Sequence, residues 1–327
     1  MKYGIGIWGT SLHSTKKIYP SIENIKNFNF VGYLSRSNKK SHLISEKYKV
    51  YNSKKLFLSN PNMQFVVIAT PPALHYENAM EALMEGKNII VEKPISQKKE
   101  DTFKLIEKAK ELNLLIIEAY YYQYHDQYKT IKNIFFENKD NVFSLISKFG
   151  IPSLERESFR DNLTLGASAF WDIGCYPISL ISDFFDLKEL EVISSKILPY
   201  SPNEIDVNGM SNIISCLNQN IILQWAMDIS YQNSIEIWGK NFHLQSDYIF
   251  SKPDNIITYI TNSNKNGIKQ IQEFPFANSI KLFYEDVVNN FTSVNFRNGA
   301  ISKIEKVTLL QELILKSLQN IRGSEFN

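Results

Sequence analysis

The sequence predicts an α/β protein: a doubly wound parallel sheet first, then an α+β region built on a large, mostly antiparallel open sheet. Three observations carry this reading. Up to about residue 120, short apolar runs alternate with segments of helical spacing. Beyond that point, strand-like runs follow one another with turn residues between them. The length of 327 residues suits two domains at roughly 100–200 residues each, here 1–120 and 121–327.

The elements follow in order. Tyr3 to Trp8, Phe30 to Leu34, Phe65 to Ala69, Asn88 to Val91 and Leu114 to Ala119 read as five buried strands. Between them, Ala73 to Glu85 and Lys99 to Leu112 place apolar residues on one helical face. Right-handed βαβ crossovers connect such strands. Val142 to Phe149 begins a second sheet, and Ala167 to Phe184 is apolar enough for a largely buried helix. Glu191 to Pro199, Asn208 to Cys216, Ile221 to Ile229, Ser234 to Trp238 and Phe242 to Ile249 are further strands. Helices over Ile280 to Phe291 and Ile301 to Ile321 close the chain. One face of the second sheet is left without helices. Trp225, Trp238 and Tyr231 are read as part of that face, which predicts a homodimer or homotetramer.

Composition narrows the function. The chain is 43% hydrophobic and 21% charged, enough to bury a core. Its 36 basic and 34 acidic residues leave a net charge of +2, a balance that argues against binding nucleic acid through phosphates. Cys175 and Cys216 are too few for a disulfide framework or a four-cysteine zinc site, and the histidines show no metal-ligand spacing. With no apolar run of about 18 residues, the expectation is a cytoplasmic protein without metal or membrane partner.

A literal G-x-G-x-x-G occurs at Gly4-Ile5-Gly6-Ile7-Trp8-Gly9, but in this register two glycines lie inside the first strand. The motif works only in the turn after the strand, where backbone N–H groups meet a pyrophosphate at a helix N-terminus. That turn is Gly9-Thr10-Ser11-Leu12-His13-Ser14, with serines at the second and third glycine positions. A plain strand-to-helix turn is the competing reading. The second strand ends in Ser35-Arg36-Ser37-Asn38-Lys39-Lys40, without the acid that holds a ribose diol. Ser35, Arg36 and Lys40 suit a 2′-phosphate instead, which predicts NADP(H) in preference to NAD(H).

Three blocks go beyond a generic nucleotide fold. They are Ala69-Thr70-Pro71-Pro72-Ala73-Leu74-His75 with the later Val91-Glu92-Lys93-Pro94, then Glu118 to His125, then Gly166-Ala167-Ser168 running into Asp172-Ile173-Gly174-Cys175-Tyr176-Pro177. In order and spacing they resemble the Gfo/Idh/MocA oxidoreductases. The tyrosine of the last block and the Phe149-Gly150-Ile151-Pro152 segment resemble the nucleotide-sugar 3-ketoreductase branch. Ala167-Ser168 stands where that family has glycines, and Asp126 where it has proline. The resemblance implies a Rossmann domain over residues 1–120 and a substrate and oligomerisation domain over 121–327. It also implies cofactor contacts from Gly9, Thr10, Ser11, Leu12, Thr70, Pro71, His75, Glu92 and Lys93. His75 also reads as local structure after the two prolines.

The chemistry follows from residue types. Reducing a ketone needs a hydride from a nicotinamide and a proton for the oxygen. Asp172 and Tyr176 are four apart, on one face of a helix. Tyr176 can give its phenolic proton, with Lys93 as the cation that eases the loss. Asp172 would orient a sugar hydroxyl or Lys93. Tyr122 and His125 are expected to line the sugar pocket and Arg160 to meet a substrate phosphate, although a solvated arginine is the blander reading. Tyr176 as a core tyrosine and Asp172 as a helix cap are the corresponding structural readings. Three functions compete: a nucleotide-sugar ketoreductase, a sugar or cyclic polyol dehydrogenase running oxidatively, and a nucleotide-binding homologue without turnover.

Overall fold

The computed structural model describes residues 2–35, 48–153, 158–199, 201, 203–253 and 255–324, with side chains described as far as residue 318. The chain divides into two compact units, Met1–Tyr120 with Asn278–Glu305, and Tyr121–Ala277 with Lys306–Asn327. A cut at 120/121 therefore misses one exchange. Helix α7 (Ser279–Asn290) buries Phe283, Tyr284, Val287 and Val288, and Asn278, which caps it, bonds Ser21 of the first unit.

The first unit is a six-stranded parallel sheet in the order β3-β2-β1-β4-β5-β6. The strands are β1 (Tyr3–Trp8), β2 (Phe28–Leu34), β3 (Val50–Tyr51), β4 (Phe65–Ile68), β5 (Asn88–Val91) and β6 (Ile116–Glu118). Every residue of β4 is buried, as expected of a strand covered on both faces. Helices α1 (Tyr19–Glu23), α2 (Lys54–Leu58), α3 (His75–Met84) and α4 (Lys99–Glu111) lie between strands. One core cluster joins Val66, Ile68, Ile89 and Val91 of the sheet to Ala79, Leu83 and Leu105 of the helices and to Ile301 and Ile304. Strand order reverses between β1 and β4, the switch point outside whose carboxyl ends ligands bind in open α/β sheets. Gly4 and Gly6 are packing residues of β1: a Cβ would fall 1.7 Å from Asn62 O at Gly4 and 2.6 Å from Phe57 and Met63 at Gly6.

The second unit is an eight-stranded sheet, β14-β13-β12-β11-β7-β10-β9-β8. Its strands are β7 (Val142–Ile151), β8 (Leu190–Leu198), β9 (Asn208–Ser215), β10 (Asn220–Met227), β11 (Gln232–Gly239), β12 (Phe242–Asp247), β13 (Thr258–Asn264) and β14 (Lys269–Phe274). All pairs are antiparallel except β7 with β10. Leu145, Ser147 and Phe149 alternate inward along β7, facing α5 (Asp126–Glu137) and α6 (Cys175–Phe184). Trp225 is a correction: it lies on this covered face, 2% exposed, its indole against Gly174. The open face carries Trp238, 55% exposed, with Phe143 edge-on at 5.3 Å. Helix α8 (Val294–Ser324) ends the described chain. Among the described residues no helix is long and apolar enough to cross a membrane.

Candidate active site

The candidate nucleotide turn begins at Gly9, where φ is +124° and a Cβ would fall 2.3 Å from Ala69 O. Only glycine brings β1 and β4 together this closely at that angle. Ser11 Oγ accepts the Ser14 N–H at 3.1 Å, an N-cap bond that leaves its own proton for an anion. Ser14 is fully buried and donates to Ser11 O at 2.9 Å, so its size serves packing. Thr10 Oγ1 and Ser35 Oγ lie 3.3 Å apart, joining the ends of β1 and β2. Arg36 and Lys40, the proposed 2′-phosphate ligands, lie outside the described residues. These features form a cradle fitted to a dinucleotide pyrophosphate: a turn closed to any Cβ, a capped helix N-terminus and two hydroxyls at the switch point.

At the end of β4, Asn78 Nδ2 donates to Thr70 Oγ1 at 3.1 Å. His75 is 1% exposed, and its ring nitrogens face two carbonyl oxygens, Pro94 O at 2.7 Å and Thr70 O at 2.8 Å. Its ring is committed to the two loops that flank the cradle. Burial holds the imidazole pKa below its usual value, the two carbonyls and Glu92 opposing. Lys93 follows β5, before Pro94, and Glu92 Oε1 lies 3.5 Å from His13 Nε2. His13 is exposed; its position beside Glu92 comes from the fold, since the end of β1 and the end of β5 are far apart in sequence.

Glu118 at the end of β6 is a second residue whose role the sequence did not disclose. It is 8% exposed, and its Oε1 accepts the Ile95 N–H at 2.8 Å. Burial pushes its carboxyl up to about 7, against the opposing pull of Ile95 N–H, Tyr120 and Lys93.

In the second unit, Asp172 and Tyr176 lie on a continuous helical stretch, a wide turn over Phe170–Gly174 leading into α6. Its start is held by Asp206, whose carboxylate accepts the Phe170 N–H at 2.8 Å and whose carbonyl accepts the Ala169 N–H at 2.9 Å. Burial raises the Asp206 carboxyl pKa against those bonds. Ser168 helps to hold the same start: its Oγ accepts the Trp171 N–H at 3.2 Å.

Asp172 is 3% exposed and takes a hydrogen bond from Arg160 Nε. Arg160 also sits 4.7 Å over the Phe159 ring. The arginine expected at a substrate phosphate, or free in solvent, is thus the counter-ion of Asp172. The Tyr176 ring is half-buried among Phe149, Phe250 and Tyr122, with centroids 5.1, 5.6 and 6.1 Å away. Tyr122 is 2% exposed and its hydroxyl bonds Ser179 Oγ at 2.8 Å, which in turn donates to Tyr176 O at 2.8 Å. His125 is 1% exposed and caps α5, its Nδ1 accepting the Gln127 N–H at 3.2 Å. Burial, then nearby Lys252, pushes its pKa down to about 4. Tyr122 and His125 therefore shape the packing beneath Tyr176 and at the start of α5. Asp126 begins that helix, so the missing proline costs no structure.

Residues 3–120 match the family model described as oxidoreductase family, NAD-binding Rossmann fold, of the Gfo/Idh/MocA group. This first domain is therefore similar to that of the Gfo/Idh/MocA oxidoreductases. Among relatives, the chain is 24% identical over 253 residues to a dTDP-3,4-didehydro-2,6-dideoxy-α-D-glucose 3-reductase of Saccharopolyspora spinosa, covering 76% of each chain. It is 20% identical over 249 residues to a trans-1,2-dihydrobenzene-1,2-diol dehydrogenase of Xenopus laevis, covering 72% of each. A 3-ketoreductase from Actinomadura kijaniata, solved with NADP and TDP-benzene, shares the fold with a TM-score of 0.86 at 18% identity, over 95% of this chain and 96% of that one.

Proposed function

We propose that this protein is a Gfo/Idh/MocA oxidoreductase, an NADP(H)-dependent reductase of a keto group on a nucleotide-linked sugar, working in the cytoplasm as a homo-oligomer. The observation that carries the reading is the helix bearing a phenol and an ion-paired carboxylate, Tyr176 and Asp172, in a chain whose β5 leads directly into Glu92-Lys93-Pro94. A TDP-linked 3-keto sugar is the substrate class suggested by the relatives' names.

Gly9, Thr10, Ser11 and Leu12 would hold the pyrophosphate, and Ser35, with Arg36 and Lys40, the adenosine end. When bound, the reduced nicotinamide supplies the hydride. Tyr176 supplies the proton to the carbonyl oxygen. A phenol ordinarily holds its proton to about pH 10, so its transfer near neutrality needs a neighbouring cation, the role given to Lys93. Asp172, paired with Arg160, orients a substrate hydroxyl. Phe149 and Phe250 pack against the Tyr176 ring, contacts that help to position it.

The test is NADPH oxidation with dTDP-3,4-didehydro-2,6-dideoxy-glucose. Tyr176→Phe and Lys93→Ala should each lower turnover on the order of a hundredfold, the usual worth of a positioned proton donor. Both variants within threefold of wild type would refute the roles. NADPH binding without turnover on any nucleotide sugar would favour a sensor. A second reading, oxidation of a sugar or diol, draws on the dihydrodiol dehydrogenase relative and on a D-xylose 1-dehydrogenase (NADP+) of Hypocrea jecorina, 29% identical over 143 residues, 41% of this chain and 37% of that one.

A further inference from the structure

Two buried ionisable side chains grip the backbone directly after Lys93. His75 Nδ1 meets the Pro94 carbonyl at 2.7 Å, and Glu118 Oε1 takes the Ile95 N–H at 2.8 Å. Neither side chain is needed for solubility, since His75 is 1% and Glu118 8% exposed. They come from different elements, His75 from the start of α3 and Glu118 from the end of β6. The second nitrogen of His75 faces Thr70 O at 2.8 Å, so one imidazole ties the exit of β4 to the exit of β5. Both of its partners only accept, so a neutral ring donates to one of them and an imidazolium to both.

We infer that His75 and Glu118 are positioning residues for Lys93, holding its turn from two sides. The inference rests on the catalytic role proposed above for Lys93. A turn gripped at the next carbonyl and at the amide after it leaves the Lys93 backbone little freedom, and an amine placed about 1 Å astray loses most of its effect. A glutamine would serve Ile95 equally well as an acceptor; a glutamate adds charge. Groups facing Glu118 are Lys93 and Glu92 from the β5 exit, the Tyr120 hydroxyl and the Ile95 N–H. Those facing His75 are Glu92, Lys93 and the two carbonyls. The Glu118 carboxyl, pushed up to about 7, ionises near neutrality, which strengthens its bond to Ile95 and places an anion beside Lys93.

Turnover of NADPH with dTDP-3,4-didehydro-2,6-dideoxy-glucose is followed from about pH 6 to pH 9, with hydrogen exchange of the Ile95 amide measured on the same proteins. Wild-type kcat should rise through about pH 7, with the KM for NADPH level. Glu118→Gln, nearly isosteric, should lose that rise while keeping Ile95 protected. Glu118→Ala should lower kcat about tenfold with the KM for NADPH within about twofold, and should speed Ile95 exchange at least tenfold, a split that a general loss of stability does not produce. His75→Ala should lower kcat similarly and His75→Gln recover part of it. A wild-type pH profile in Glu118→Gln, or unchanged Ile95 exchange in Glu118→Ala, overturns the proposal. If Ile95 exchange responds but Lys93→Ala keeps full turnover, the grip is real and the catalytic role of Lys93 is what fails, and positioning for catalysis fails with it.

Discussion

Glu118 costs the protein stability in a pH-dependent way. Its carboxyl titrates near 7 when folded against 4.5 for the free side chain. A carboxyl with a raised folded pKa contributes most below the unfolded value, and that contribution is lost as pH rises through the folded one. At about 1.4 kcal/mol per pH unit, the loss between pH 4.5 and pH 8 is on the order of 3 kcal/mol. Glu118→Gln should therefore unfold at a higher temperature than wild type at pH 8, the gap closing near pH 4.5; calorimetry at both pH values checks this. The same buried carboxyl was invisible as a functional group in sequence, because only the fold brings Ile95 to it. Local motifs single out Lys93, Asp172 and Tyr176 as candidates, whereas the pairing of Arg160 with Asp172 has no signal in the sequence, since an arginine's partner is a tertiary fact.

The helix that carries Asp172 and Tyr176 shows what an element owes to its surroundings. Its apolar run announced a buried helix, but its start is held by Asp206, 34 residues after Asp172. Asp206→Ala removes the acceptor for the Phe170 N–H and should destabilise the second unit by about 1–2 kcal/mol. Denaturant titration would show a lower midpoint at constant slope. Asp206→Asn should recover most of the loss, because one amide oxygen can still accept. Edge strands were the hardest elements to read. β14 is Lys-Gln-Ile-Gln-Glu-Phe, exposed at five of six positions, so no apolar alternation marks it. The two-residue β3 is too short for any pattern.

The eight-stranded sheet has one face filled by α5 and α6 and another that presents Phe143, Trp238 and Tyr259, 53%, 55% and 44% exposed. Apolar side chains gathered on one face of a sheet mark an interaction surface, and a second copy of this chain is the partner proposed. Light scattering should give at least a dimer, and Trp238→Asp with Phe143→Asp should shift it to monomer while leaving NADPH binding intact. A wild-type monomer at micromolar concentration would reject this assembly.

Hydrophobic periodicity alone determined the parallel sheet, the antiparallel sheet and the register of the nucleotide turn, because burial on two faces, on one face, or at a strand end imposes different spacings on the chain. Local motifs likewise marked Lys93, Asp172 and Tyr176. Tertiary structure alone decided what surrounds them: Arg160 on Asp172, Glu118 and His75 on the Lys93 turn, Asp206 at the helix start, and Trp225 under the helix instead of on the open face. A hydrogen bond or a packed ring depends on groups distant in sequence meeting at a few ångströms, and such meetings leave no periodic trace for a linear reading to find.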